Sequence, residues 1–272
     1  MARADLKPLN RSERSEIIAA GPKGILVGGM ALAFWADEFS VLPSGLLEAG
    51  ITFDVDFLGT RKEAETTANQ LAGLMPGRVE ILLPDIDRQT ANSAKILVQT
   101  FHDCTTALEI DYVSGLFGFT PEAEQRLRMR AFSVETSRGS VKVMHPIDCL
   151  ISRVMNLDGL PSKQNPAGVA QCRLAVTVTR AFIHRACGDP SRQVMKTALK
   201  AAEVVAELAM LAPARRIANE YGIDLLEAIP ADAIRSEQFQ LQRWPQIQQA
   251  VAEGIEKLKR QRERRRKRAK TG

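Results

Sequence analysis

The sequence has little of what builds a stapled or zinc-bound fold. It holds four cysteines and three histidines in 272 residues. Cys104, Cys149, Cys172 and Cys187 contain no C-x-x-C pair, and a chain of this length with so few thiols is not a disulfide scaffold. His102, His145 and His184 share no ligand spacing with those cysteines, which argues against zinc. No run of about 18 apolar residues occurs, so no membrane span is expected and membrane partners are set aside. Met1 to Ser15 is charged and has no apolar core of the kind a secretory signal needs. The expectation is a cytoplasmic protein with reduced thiols.

The composition otherwise fits a globular protein, with 45% hydrophobic and 25% charged residues, long enough to bury a sizeable core. The net charge of +5 is unevenly spread. Lys257 to Lys270 holds ten Lys or Arg against one Glu, so the rest of the chain is mildly acidic. A block of like charge such as Arg264-Arg265-Arg266-Lys267-Arg268 is often an interaction tail. Three readings stay open for it: sequence-independent capture of nucleic acid phosphates, an acidic protein partner, or a solvated helix end. Phe239 and Trp244 lie upstream with the spacing of packing residues and do not read as a base-stacking platform.

Periodicity divides the chain into an α/β part and an all-helical part. A short helix is expected over Ser12–Ala20 and a strand over Gly24–Val27. Gly28-Gly29 interrupts, and an apolar helix follows to Ala36. Ile51–Leu58 alternates and reads as a strand, Lys62–Met75 as a helix. Val79–Leu83, Ala94–Thr100 and Ala107–Val113 are strand candidates. Pro121–Arg128 is a helix, and Ala131–Glu135 with Ser140–Met144 a hairpin. Beyond Pro146 only helices are expected, ending in one long helix from Ser236 that is crossed by Pro245. The expected domains are residues 1–145, a helical domain over 146–256, and a basic tail over 257–272.

Three segments carry chemistry. In Ile51-Thr52-Phe53-Asp54-Val55-Asp56-Phe57 the period of two puts Asp54 and Asp56 on one strand face. Paired carboxylates repel unless a proton or cation intervenes, and Mg²⁺ commonly sits on one or two carboxylates plus phosphate oxygens. Gly28-Gly29 lies between strand and helix, where backbone can approach closely and a helix start offers N–H groups to a triphosphate. Leu108-Glu109-Ile110-Asp111-Tyr112-Val113 adds a further carboxylate strand. Singly, each has a plainer reading: a solvated strand face, a turn, an exposed polar strand.

In this order they resemble the nucleotidyltransferase superfamily that includes DNA polymerase beta, and within it the bacterial abortive-infection, type IV toxin enzymes. The resemblance rests on Leu26-Val27-Gly28-Gly29-Met30-Ala31-Leu32-Ala33, on Thr52-Phe53-Asp54-Val55-Asp56-Phe57 and on Ile110-Asp111-Tyr112. Leu116-Phe117-Gly118 and Val143-Met144-His145-Pro146, followed by a helix bearing Arg153, extend it over residues 24–157. Arg153 stands where Lys is usual, and Ser162-Lys163-Gln164-Asn165-Pro166 replaces a Lys-Asp motif.

The resemblance implies an α+β fold, a mixed sheet flanked by helices, followed by an all-helical C-terminal domain. It implies metal-dependent transfer of a nucleoside monophosphate from a nucleoside triphosphate to an acceptor hydroxyl, with Mg²⁺ or Mn²⁺ on Asp54, Asp56 and Asp111. Gly28 and Gly29 would shape the triphosphate pocket, Thr52 would orient the first carboxylate, and Arg153 or Lys163 would touch phosphate. The acceptor expected is RNA, such as a tRNA 3′ end, contacted by Arg264 to Arg268. A toxin role with a cognate antitoxin comes with the same resemblance. The competing readings are nucleotidylation of a small molecule or a protein, and a non-catalytic nucleic-acid- or protein-binding module.

Overall fold

The computed structural model describes residues 17–41, 55–74, 79–83, 92–99, 107–137, 139–188 and 192–271. The chain forms two compact units. The first comprises Met1–Asp37 and Leu42–Ser152, the second Glu38–Val41 and Arg153–Gly272.

The first unit is built on seven strands: β1 (Ile25–Leu26), β2 (Val55–Leu58), β3 (Val79–Leu82), β4 (Asn92–Gln99), β5 (Ala107–Val113), β6 (Phe132–Thr136) and β7 (Gly139–Val143). They make one sheet in the order β3-β4-β5-β2-β1-β7-β6. β1 runs parallel to β7 and β2 parallel to β5, while the other neighbours are antiparallel. The sheet is therefore mixed. Its flanking helices are α1 (Gly28–Glu38), α2 (Arg61–Leu74) and α3 (Pro121–Arg130). Then α4 (Pro146–Gly159) carries the chain from the first unit into the second.

Alternation explains the packing. Val55, Phe57, Ala94, Ile96, Val98, Ile110 and Tyr112 are buried on period-two spacing. The strand expected over Gly24–Val27 is only two residues long, because Gly24 (φ +96°) and Gly28 (φ +67°) adopt left-handed backbone at either side. Tyr112 is fully buried, and its hydroxyl donates to the Lys23 carbonyl at 2.7 Å and lies 2.7 Å from Thr67 Oγ1. Burial pushes that phenol well above its ordinary pKa. A buried hydroxyl without such partners would be costly, so this contact fixes the chain entering β1 against α2. The helix expected over Ser12–Ala20 is described only from Ile17, with helix at residues 17–19 and a turn at Ala20, and the strand expected over Ile51–Leu58 only from Val55.

The second unit is helical: α5 (Pro166–Gly188), α6 (Arg192–Met210), α7 (Ala212–Tyr221), a 3₁₀ turn at Leu225–Ala228, and α8 (Trp244–Thr271). Ala198, Ala201, Ala202 and Ala206 are buried along α6, and such small side chains let neighbouring helices approach closely. Arg216 grips Asp158 with two bonds of 2.6 Å, and Arg243 grips Glu203 at 2.8 and 2.6 Å. The one long helix expected from Ser236 across Pro245 is not regular α-helix throughout. Phe239–Arg243 is a π-helical turn that leads into Trp244 and Pro245. Proline has no N–H to give a regular α-turn, and a widened turn accommodates the misfit. The basic run from Lys257 continues α8 as helix to Thr271. No helix of the described residues is long and apolar enough to cross a membrane.

Candidate functional site

The site is assembled where β1 turns into α1. Val27 N–H donates to the Asp56 carbonyl at 2.9 Å, which fixes this turn against β2. The next residue, Gly28, has φ +67°, and a Cβ there would overlap the Asp56 carboxylate. Glycine is needed at this position both for backbone conformation and for space. Gly29 is buried one residue on, and α1 begins at the pair. The first N–H groups of a helix lack intrahelical partners, so this turn brings anion-binding backbone beside a carboxylate.

Asp56 and Asp111 are register partners across the parallel pair β2 and β5. Cα partners in neighbouring strands send their side chains to the same face. Two carboxylates separated by some fifty residues of sequence thus share one patch of sheet beside Gly28.

β4 completes the patch. Lys95 is the register partner of Asp111 from the other side. Its Nζ donates to Glu109 Oε2 at 2.6 Å and lies 3.4 Å from Asp111 Oδ1. Burial works to lower the Lys95 pKa, but the hydrogen bond to Glu109 and the charge of Asp111 outweigh it and raise it. Asn92 Nδ2 donates to the same Asp111 oxygen at 3.0 Å. Asn92 reaches that face because the register of β4 on β5 shifts between Asn92 and Ala94. Such a bulge re-aims one side chain relative to the alternation. Ser93, at the bulge, turns its hydroxyl to the Gly59 and Tyr112 carbonyls at 2.9 and 3.1 Å.

The residues singled out in the sequence fall into three groups. Gly28, Gly29, Asp56 and Asp111 come together in the first unit. Arg153 and Lys163 belong to the second unit: Arg153 is buried and donates to Gln171 Oε1 at 2.6 Å, while Lys163 is exposed in a 3₁₀ turn, Pro161–Lys163. Arg264 is exposed on α8. Thr52 and Asp54 lie outside the described residues, as do the side chains of Arg265, Arg266, Lys267 and Arg268. Among the described residues no three His, Cys, Asp or Glu side chains gather into a metal site.

The donor set still fits a hard divalent cation. Asp56 and Asp111 offer carboxylate oxygens from one sheet face, and the absence of a side chain at Gly28 lets the Asp56 carboxylate lie against the turn that starts α1. Asn92 and Lys95 were not singled out by sequence. The available signal was a lone lysine in the apolar run Ala94-Lys95-Ile96-Leu97-Val98.

A second charged cluster lies at the start of α4. Arg130 pairs with the buried Asp148, and His145 stacks on Phe132 with ring centroids 5.2 Å apart. Burial pushes the Asp148 carboxyl up to about 6 against the pull of Arg130. Burial, and then the Arg130 charge, push the His145 imidazole down to about 4.

No family model matches this chain, and no curated protein matches it either. Among solved structures, it is similar to an antigenic nucleotidyltransferase-like protein from Paracoccidioides brasiliensis, at 13% identity over 72% of this chain and 95% of that chain, with a TM-score of 0.41. A similarity of that size carries no argument about fold or chemistry.

Proposed function

We propose that this chain is a nucleotidyltransferase, which moves a nucleoside monophosphate from a nucleoside triphosphate to an acceptor hydroxyl. The observation that carries the reading is the pairing of Asp56 with Asp111 in register, beside a glycine turn that starts a helix. The order of motifs in the sequence supports the same reading.

In this scheme the start of α1 receives the triphosphate, with Gly28 and Gly29 keeping side chains out of the way. Asp54, Asp56 and Asp111 would hold Mg²⁺ or Mn²⁺, which when bound supplies positive charge to the phosphate oxygens. The acceptor oxygen attacks the α-phosphorus, a new P–O bond forms, and the bond to pyrophosphate breaks. Asp111 would help to take the acceptor proton. The rest is positioning and charge stabilisation, as in phosphoryl transfer generally. RNA is the acceptor favoured by the helix of Lys and Arg that ends the chain. Growth inhibition as a toxin is the finer form of this reading and rests on the motif resemblance.

The test is transfer of label from each α-³²P ribonucleoside triphosphate onto total RNA with Mg²⁺, for wild type and Asp56→Asn. Label that appears on RNA with wild type and vanishes in the variant is the expected result. Equal labelling by both proteins would sink the assignment. Label absent from RNA but present on a small molecule would move the acceptor to the competing class.

A further inference from the structure

Lys95 is the feature that the scheme above leaves without a role. A lysine inside a sheet, facing neighbouring carboxylates, is a fixed positive charge at the place where a divalent cation would be bound. Its side chain is 29% exposed, with Glu109 at 23% and Asp111 at 14%, so the three charges interact through protein more than through water. Lys95 divides its ammonium between Glu109 (2.6 Å) and Asp111 (3.4 Å). Asn92 holds the same Asp111 oxygen from a second direction, and only the bulge in β4 brings it there. Two donors from one strand on one carboxylate oxygen fix the rotation of that carboxylate. A solvated carboxylate would turn freely.

We propose that Lys95, balanced by Glu109, is a resident counter-cation of the carboxylate site: with Asn92 it positions Asp111, and it sets how tightly the site takes a divalent cation. The proposal rests on the reading of Asp56 and Asp111 as metal ligands. Lys95 and Asn92 are positioning residues, acting through Asp111. Loss of either partner's charge acts on cation binding with the opposite sign from loss of the other's. Without the lysine charge, Glu109 and Asp111 attract a cation more strongly, but Asp111 loses its alignment. Without the glutamate charge, Lys95 turns wholly to Asp111 and repels an incoming cation.

The experiment is Mn²⁺ binding to the full chain without nucleotide, followed by electron paramagnetic resonance. Wild type is compared with Lys95→Met, Glu109→Gln, the double variant and Asp56→Asn, with folding checked by circular dichroism and melting. Lys95→Met should bind Mn²⁺ at least about threefold more tightly, and Glu109→Gln at least about threefold more weakly. The double variant should return close to wild type. Turnover by Lys95→Met should fall by roughly tenfold despite tighter binding, because Asp111 is misaligned. A merely structural lysine would weaken binding and turnover together. If wild type binds Mn²⁺ and Asp56→Asn does not, yet both single variants match wild type, the proposal is overturned and the nucleotidyltransferase reading stands. If folded Lys95→Met binds more weakly, the proposal is likewise overturned. If wild type binds no Mn²⁺, the metal reading and the proposal fall together.

Discussion

His145 and Asp148 stand three residues apart at the start of α4 and respond to pH in opposite senses. The folded chain holds the imidazole at about 4 against an ordinary 6.5. As pH falls through that window the unfolded chain takes up the proton first, and stability is lost. Asp148 sits at about 6 when folded against an ordinary 3.8, so the folded chain binds that proton better and stability is lost as pH rises through the window. The two slopes oppose each other between about pH 4 and 6. Asp148→Asn should therefore uncover a loss of about 2–3 kcal/mol as pH falls from neutrality to 4. His145→Gln should uncover a loss of similar size as pH rises from 4 to 6. Urea melts across this range check both, and parallel profiles for the two variants would refute the assignment. Neither slope could be read from the sequence, since each depends on burial that only the packed fold creates. The candidate site was legible in the same partial way. Period-two alternation put Asp54 with Asp56, and Glu109 with Asp111, on single strand faces, and the choice of Asp56 and Asp111 among them came from the order of motifs. The identities of Asn92 and Lys95 as their neighbours depend on which strand lies beside β5, and in Asn92's case on a one-residue bulge with no local signature.

Elements were legible where pattern is long and punctuation is strong. The helix over Arg61–Leu74, the strand over Ala107–Val113 and the hairpin of β6 with β7 follow from periodicity and turn residues. Pro245 was visible within the long helix, but the π-turn before it, Phe239–Arg243, has no signature in the pattern. One contact between elements was invisible in the pattern altogether. Gly254 lies within α8, where glycine ordinarily weakens a helix, and a Cβ there would overlap the Arg215 guanidinium of α7. The glycine is thus a slot for an arginine. With Arg215→Ala in place, Gly254→Ala should stabilise the chain by about 0.5–1 kcal/mol. With Arg215 present the same change should stabilise it less, because the guanidinium must first move aside. Denaturant melts of the four proteins in this cycle decide the matter, and an equal gain in both backgrounds would remove the packing account.

For the whole molecule the relevant quantity is the distribution of charge. The +5 of the chain conceals a helix end that carries more than that charge and a remainder of opposite sign. If α8 carries the acceptor contact, removing residues 257–272 should weaken RNA binding and flatten its dependence on salt, measured as the slope of log affinity against log salt concentration. Wild type and truncated chain should converge at high salt. Equal slopes at all concentrations would mean that the basic helix is no interface. The same separation also acts between copies of the chain in free solution. The basic end of one copy therefore attracts the net-negative remainder of another. That attraction is strongest in dilute buffer, and added salt screens it.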